Sequence, residues 1–168
     1  ILYEKAEKYN SDLVMSGVLY MDGKVFSKEG ECIRKTYFDK DTQFESIEEL
    51  KKLRLGIVGS LPDDDEDSRY GMSVWKNLFR HEIIKKNNLT FQSEREIFSE
   101  DSLFMIDYIS CINKATGIKD ALYFYCRNED SISKSYKKDK FEKCLLFVNE
   151  VEKRFGKDKV AVSLNDFD

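Results

Sequence analysis

The chain has 168 residues, a length typical of one domain, and its 41% hydrophobic and 13% aromatic content suits a globular core rather than a disordered chain. Its 28 basic and 32 acidic side chains give a net charge of −4, so no basic excess is present to hold a nucleic-acid backbone. No apolar run approaches the roughly 20 residues that span a bilayer, and the four widely spaced cysteines form no CxxC pair, which is typical of a reduced, cytoplasmic protein.

The first part of the chain predicts one helix and three strands. Leu2, Ala6 and Tyr9 fall on one face of a helix. Because this helix has neither an initiator methionine nor a cap before it, we expect the sequence to be part of a longer protein. The three predicted strands cover residues 12–20, the vicinity of Val25 and Phe26 after an Asp-Gly turn, and residues 32–38.

A capping box predicts the start of the second helix. Ser46 occupies the N-cap position and Glu49 follows three residues later, so each side chain can bond a backbone N–H of the other residue. The helix is predicted over residues 47–55, and Gly56 is expected to loosen its end.

Five consecutive acids at residues 63–67 follow Pro62, the single proline of the chain. Like charges repel, so a solvated loop is one interpretation. A site for a divalent metal is the other, because such ions prefer carboxylate oxygens. Nothing clearly strand-like precedes these acids to hold them together, and we assign no metal site to them.

The rest of the chain again alternates strands with helices. Residues 73–75, 89–91 and 120–126 are predicted as strands, and residues 77–87 and 100–113 as helices. The last helix is predicted from an apolar stripe, with Gly156 as its C′ residue; the stripe consists of Phe141, Cys144, Leu145, Val148, Val151 and Phe155. This irregular alternation indicates a mixed α/β class.

Ser99, Glu100 and Asp101 stand at the start of the predicted helix 100–113. A serine N-cap followed by acids is a favourable helix beginning, since acids in the first turn interact well with the helix dipole. This local preference explains the three residues without any function. A catalytic carboxylate is the alternative interpretation, and the two are compatible.

Residues 73–109, followed by 121–136, resemble the C-terminal half of the family 2 glycosyltransferase domain. That family has a Trp-x-Lys-Leu-Phe/Tyr-Arg segment, a short strand ending in Phe, a Glu-Asp pair, and a Tyr-x-Tyr-x-Arg strand leading to Ser-Ile-Ser/Thr. The matching residues here are Trp75, Leu78, Phe79, Arg80, Phe91, Glu100, Asp101, Phe104, Tyr123, Tyr125, Arg127, Ser131 and Ile132. The lysine departs by one place, because Lys76 directly follows the tryptophan and Asn77 holds the usual lysine position.

The resemblance implies the GT-A fold of nucleotide-sugar transferases: an α/β domain whose mixed sheet is flanked by helices. We expect one domain over residues 1–168 that lacks the N-terminal nucleotide-binding strands. It would comprise a sheet extension at 1–60, an acceptor and catalytic-base region at 72–136, and a C-terminal helix at 140–156.

The chemistry implied by the resemblance is sugar transfer with inversion from a nucleotide-sugar donor to a saccharide or lipid-linked acceptor. By matching, Asp101 is the general base that removes the proton of the acceptor hydroxyl, and Glu100 supports it. Family members hold Mg²⁺ or Mn²⁺ on an Asp-x-Asp motif, which is expected before Ile1. We therefore expect no metal ligand in this chain, and no activity from the 168 residues alone.

The resemblance also suggests binding roles for Trp75, Lys76, Arg127 and Ser131. The indole of Trp75 would stack on a sugar ring or serve as a core anchor. Lys76 would contact the acceptor or the diphosphate, or lie solvated at the surface, while Arg127 with Ser131 would hold a phosphate or lie at the surface. A further run of lysines would be a solvated face or touch anionic lipid; it consists of Lys134, Lys137, Lys138 and Lys140.

The function expected from these residues is a step in bacterial surface polysaccharide or lipopolysaccharide synthesis, in the cytoplasm or at the inner face of the membrane. Peripheral membrane contact and a homo-oligomer joined at a bare sheet edge are both compatible with the sequence. A non-catalytic assembly module that keeps the C-terminal part of the fold is the alternative, followed by an unrelated α/β ligand-binding domain.

Overall fold

The computed structural model describes residues 1–22, 32–59, 68–127 and 138–155, with the side chains of Asp22 and Arg127 excepted. Within these residues five helices and five strands follow one another in an irregular order. They are α1 (Leu2–Tyr9), β1 (Leu13–Asp22), β2 (Cys32–Lys35), β3 (Thr42–Phe44), α2 (Ile47–Val58), β4 (Asn77–Phe79), α3 (His81–Lys86), α4 (Glu100–Ile109), β5 (Ala115–Arg127) and α5 (Lys140–Phe155).

The strands form one mixed sheet, with β1 and β5 as its parallel central pair. β3 lies antiparallel to the beginning of β5, and β2 lies antiparallel to the end of β1. β4 pairs antiparallel with the beginning of β1, on the edge whose other half holds β2. The chain is therefore an α/β protein with a mixed sheet flanked by helices, as the sequence predicts.

The core lies between the sheet and helices α2, α4 and α5. α4 is the most enclosed helix, since seven of its ten residues are buried. Apolar side chains of this size contribute about 1.5–3 kcal/mol each when fully buried. The fully buried members of the core cluster are Leu13, Met15, Leu53, Ile57, Leu103, Met105, Ile106, Tyr108, Ile109, Ala115 and Val151.

The predicted capping box at the start of α2 is confirmed. The N–H of Glu49 donates to Ser46 Oγ at 3.2 Å, and the N–H of Ser46 donates to Glu49 Oε2 at 3.0 Å. The predicted end of this helix is wrong, because α2 continues through Gly56 to Val58. Gly56 is buried, and an added Cβ would lie 2.6 Å from the ring of Tyr70. Its lack of a side chain therefore permits close packing instead of ending the helix.

The prediction for residues 73–91 is wrong in its order of elements. Residues 73–75 form no strand, and the strand instead is β4, which takes the first turn of the predicted helix 77–87. The cause is non-local, because the edge of β1 pairs with this segment, Leu13 with Phe79 and Met15 with Asn77. The helix that remains is α3, and residues 89–91 form no strand.

The other predicted elements within the described residues are confirmed with shifted boundaries, whereas β3 was not predicted. β2 ends at Lys35, and α4 ends at Ile109 rather than near residue 113. The apolar stripe predicted for α5 is only partly buried: Cys144 and Val151 face the core, whereas Phe141 and Leu145 are exposed. The predicted strand near residue 25, the acidic run 63–67 and the predicted C′ residue 156 lie outside the described residues.

Candidate functional site

Asp101 lies in the first turn of α4 and is half-buried. Its Oδ2 accepts a hydrogen bond from the backbone N–H of Val74 at 3.2 Å. Among the described residues, no cation pairs with this carboxylate, and Oδ1 has no hydrogen-bond partner. Burial raises the pKa of Asp101 above its ordinary value of 3.8, and the bond from Val74 opposes that rise only in part.

Ser99 stands at the N-cap position of α4, but the predicted side-chain cap is absent. Its backbone is left-handed, with φ 54° and ψ 52°, a region that costs a residue with a Cβ about 1–2 kcal/mol. Its hydroxyl instead shares a 2.6 Å hydrogen bond with the hydroxyl of the buried Ser102. Such strain next to a half-buried carboxylate is typical of a functional position.

Glu100 precedes Asp101 and is also half-buried. Among the described residues it has no hydrogen-bond or ion-pair partner. The two adjacent acids are therefore held differently, since only Asp101 is fixed to the backbone of the loop that precedes β4.

Trp75 directly follows Val74, and its half-buried indole lies against two tyrosines of β5. The ring centroids are 4.3 Å apart for Trp75 and Tyr123, and 5.3 Å apart for Trp75 and Tyr125. Tyr20 of β1 makes an edge contact with Tyr125 at 5.6 Å. These four rings form an aromatic cluster on one face of the sheet, one residue from the backbone group that binds Asp101.

Lys76 is buried, with only 2% of its surface exposed, so the solvated surface role weighed for it is wrong. Its Nζ donates to the carbonyl of Tyr70 at 2.7 Å and lies 3.5 Å from the ring centroid of Tyr37. Burial lowers the pKa of Lys76 to about 7, and the nearby charge of Lys35 acts in the same direction. Among the described residues no carboxylate pairs with this amine.

The side chains of two predicted binding residues, Arg127 and Ser131, lie outside the described part of the structure. Arg127 ends β5, where its backbone pairs with that of Asp22, but its side chain is outside the described part. Ser131 lies in the segment 128–137, which is also outside it.

Arg80, one of the residues that match the family pattern, has a structural role. Its Nε lies 3.1 Å from Asp12 Oδ1, and its backbone N–H donates to the hydroxyl of Tyr108 at 2.8 Å. That hydroxyl donates to the carbonyl of Asp12 at 2.7 Å, and burial raises the pKa of Tyr108 to about 12. The network ties α4 to the beginnings of β1 and α3.

Asp101 is bonded to the segment 74–76 through the N–H of Val74, and two further predicted site residues, Trp75 and Lys76, follow in that segment. The side chains of Trp75 and Lys76 contact different groups, the tyrosines of β5 and the ring of Tyr37. Sequence reasoning missed Tyr37, the ring beneath Lys76. The alternation of side chains that starts in β2 places Lys35 and Tyr37 on the same side, and this was the available signal.

The described residues supply no donor set for Mg²⁺ or Mn²⁺. No three His, Cys, Asp or Glu side chains within them could hold a metal ion together. None of the helices in the same part of the chain has both the length and the apolar character needed to cross a membrane. A scan against protein-family models gave no match, and a search of curated proteins gave none either.

Proposed function

We propose that this chain is the acceptor side of an inverting glycosyltransferase of the GT-A type, with Asp101 as the general base. The observation that carries the proposal is the state of this carboxylate. It is half-buried, its pKa is raised, one oxygen is fixed by Val74, and the other has no partner among the described residues.

Inversion requires an acceptor hydroxyl to attack the anomeric carbon directly. The oxygen forms the new glycosidic bond, the bond from the anomeric carbon to the nucleoside diphosphate breaks, and the hydroxyl proton passes to Asp101. A raised pKa makes the carboxylate a better proton acceptor. Its anchoring to Val74 fixes the position of the base, and ordered positioning is a large part of catalysis.

Trp75 supports a saccharide acceptor in this position. Apolar sugar faces stack on aromatic rings, and the indole is already held rigid by Tyr123 and Tyr125. Val74, whose N–H anchors the carboxylate of Asp101, directly precedes Trp75 in the chain. In the proposal Lys76 does not contact the ligand directly, because its side chain is buried. Glu100 contributes less to catalysis than Asp101.

The nucleotide sugar and its metal are assigned to residues other than those described here. Mg²⁺ or Mn²⁺ would offset the charge of the departing diphosphate, and we derive no step through it. We propose a bacterial surface polysaccharide or lipopolysaccharide as the product class, with the reaction in the cytoplasm, and these parts rest on the sequence resemblance alone.

The test replaces Asp101 with Asn in the longest natural protein that contains this chain. We expect sugar transfer from nucleotide-sugar donors to fall by about 10²–10⁴-fold, the usual contribution of a general base. Donor binding, measured by titration calorimetry, should stay unchanged. In the unchanged protein the acid limb of the pH–rate profile should lie above the ordinary Asp pKa of 3.8.

Glu100→Gln is the matched control, because it removes the neighbouring charge and leaves the anchored carboxylate in place. Its loss of transfer should be much smaller than that of Asp101→Asn. Undiminished turnover in Asp101→Asn would reject the assignment of the base. A correctly folded parent protein that transfers no sugar from any donor would favour the non-catalytic assembly module instead.

A further inference from the structure

The loop 70–76, which directly precedes β4, is closed on itself by the side chain of Lys76. Its Nζ donates to the carbonyl of Tyr70 at 2.7 Å, six residues earlier in the sequence. Only 2% of the surface of Lys76 is exposed, and Nζ lies 3.5 Å from the ring centroid of Tyr37. The first and last residues of the loop are therefore joined inside the protein.

Both ends of this loop are also bonded to the rest of the fold. The N–H of Tyr70 donates to the carbonyl of Gly56 in α2 at 3.0 Å. The carbonyl of Lys76 accepts a hydrogen bond at 2.8 Å from the hydroxyl of Ser16, a buried residue of β1. The side chain of Lys76 thus links a segment that is held by α2 to a segment that is held by β1.

Gly71 leaves the space that the amine occupies. Its φ is +68°, a left-handed conformation that glycine adopts without strain. An added Cβ would lie 2.6 Å from Lys76 Nζ and 2.6 Å from the hydroxyl oxygen of Tyr37. A side chain at this position would therefore displace the amine or the ring.

The backbone group that anchors Asp101 lies between the two ends of the loop. The N–H of Val74 donates to Asp101 Oδ2, and the carbonyl of Val74 accepts the N–H of Asn77. The position of the Val74 N–H depends on the path of the loop, and the bridge from Lys76 to Tyr70 constrains that path. An apolar side chain would fill the same space without the cost of burying an amine, but it could not hold the Tyr70 carbonyl.

We propose that Lys76 is a positioning residue for Asp101, because it holds the loop 70–76 and with it the N–H of Val74. Lys76 acts through the backbone of the loop and not by contact with a ligand, since its side chain is buried. The catalytic consequence rests on the proposed function, whereas the coupling between the two residues is a property of the folded chain alone.

The first test replaces Lys76 with Met, which keeps most of the side-chain volume and removes the donor. NMR titration of the Asp101 carboxyl carbon in the 168-residue protein gives its pKa, and Asp101→Asn assigns the signal. The bond from Val74 lowers this pKa, so the variant should raise it above the value in the unchanged protein. Amide hydrogen exchange at Val74 should accelerate by roughly tenfold, the usual effect of one lost hydrogen bond.

Lys51→Met is the matched control, because it removes an exposed lysine that pairs with Glu48 and should change neither measurement. Gly71→Ala is a second variant, which decides the outcome if Lys76→Met does not fold. Its methyl group should displace the amine from the Tyr70 carbonyl and raise the pKa of Asp101 in the same direction. The proposal is overturned if the folded variants keep the pKa of Asp101 and the exchange rate of Val74 unchanged.

The second test measures sugar transfer in the longest natural protein that contains this chain. Lys76→Met should lower kcat by about 10–100-fold, the effect of a small misplacement of a catalytic group, and leave the KM for the donor unchanged. The acid limb of the pH–rate profile should move to higher pH together with the pKa of Asp101. If the unchanged parent transfers no sugar, the proposed function fails, but the NMR test still decides whether Lys76 positions Asp101.

Discussion

Burial acts in opposite directions on two residues of the candidate site. It raises the pKa of the Asp101 carboxyl and lowers that of the Lys76 amine, because each charged form loses hydration. The two groups do not form an ion pair with each other. Such a pair would have stabilised the charged form of each group. Within the part of the chain that the structure describes, neither group has an ion-pair partner, and stability alone gives no reason for that arrangement.

Lys76 should make the stability of the protein depend on pH. Its pKa is about 7 when folded and 10.5 in a model peptide, so between these values the unfolded chain binds a proton that the folded protein does not. Stability is therefore lost as the pH falls from about 10 to 7, by roughly 5 kcal/mol at most, and rises again as the pH increases. Lys76→Met should abolish this slope in urea unfolding experiments.

Lys51→Met is the control for that slope. Lys51 is an exposed lysine of α2 paired with Glu48, and its replacement should leave the pH dependence as it was. At pH 7, Lys76→Met should be at least as stable as the original, although the carbonyl of Tyr70 loses its donor. An unchanged slope in Lys76→Met would show that this amine is charged in the folded state.

At the scale of single elements, the capping box of α2 gives a local prediction. Ser46→Ala removes the hydroxyl that accepts the N–H of Glu49, so the free energy of unfolding should fall by about 1 kcal/mol. Ser46→Thr, which keeps an accepting hydroxyl, should lose much less. Thermal unfolding of both variants measures the difference, and equal melting temperatures for Ala and Thr would contradict the role of the cap.

How well the sequence predicts an element depends on how far apart in sequence the residues that stabilise it lie. The start of α2 is predicted correctly because Ser46 and Glu49 satisfy each other within three residues. β4 is missed because its pairing partner, β1, lies more than sixty residues away in sequence. The full length of β5 is missed for the same reason, since Gly117 is an unfavourable strand residue on its own. There it fits against Phe38, whose ring lies 2.3 Å from the position of an added Cβ.

The same dependence on separation in sequence applies to the candidate site. The position of Asp101 in the first turn of a helix is a local pattern that the structure confirms, whereas its catalytic role comes from the family resemblance and stays a prediction. The bond from Val74 and the burial of Lys76 depend on how the loop before β4 folds back on α4. The sequence of this loop has no hydrophobic periodicity that predicts its contact with α4.

At the scale of the whole molecule, Arg54 joins the three helices that cover the sheet. From α2, its Nε donates to the carbonyl of Ile106 in α4, and its Nη2 donates to that of Arg154 in α5, both at 2.9 Å. Its guanidinium also lies 4.3 Å from the ring centroid of Phe155. Both carbonyls belong to the last turns of their helices, where the helix dipole favours a cation. The carbonyl of Ile106 also accepts hydrogen bonds from the N–H and the hydroxyl of Ser110.

Arg54→Lys should therefore loosen α5 although it keeps the charge. A lysine amine cannot span two carbonyls with the planar fork of a guanidinium, nor stack in the same way on Phe155. We expect the free energy of unfolding to fall by about 1–3 kcal/mol, and amide hydrogen exchange to accelerate in the last two turns of α5 more than in α1. Arg34→Lys is the control, because the exposed Arg34 bonds a single carbonyl, that of Lys119, and its replacement should change stability by less than about 0.5 kcal/mol. Equal exchange in α5 for the two variants would mean that this helix is held by its apolar face alone, through Cys144, Phe147 and Val151.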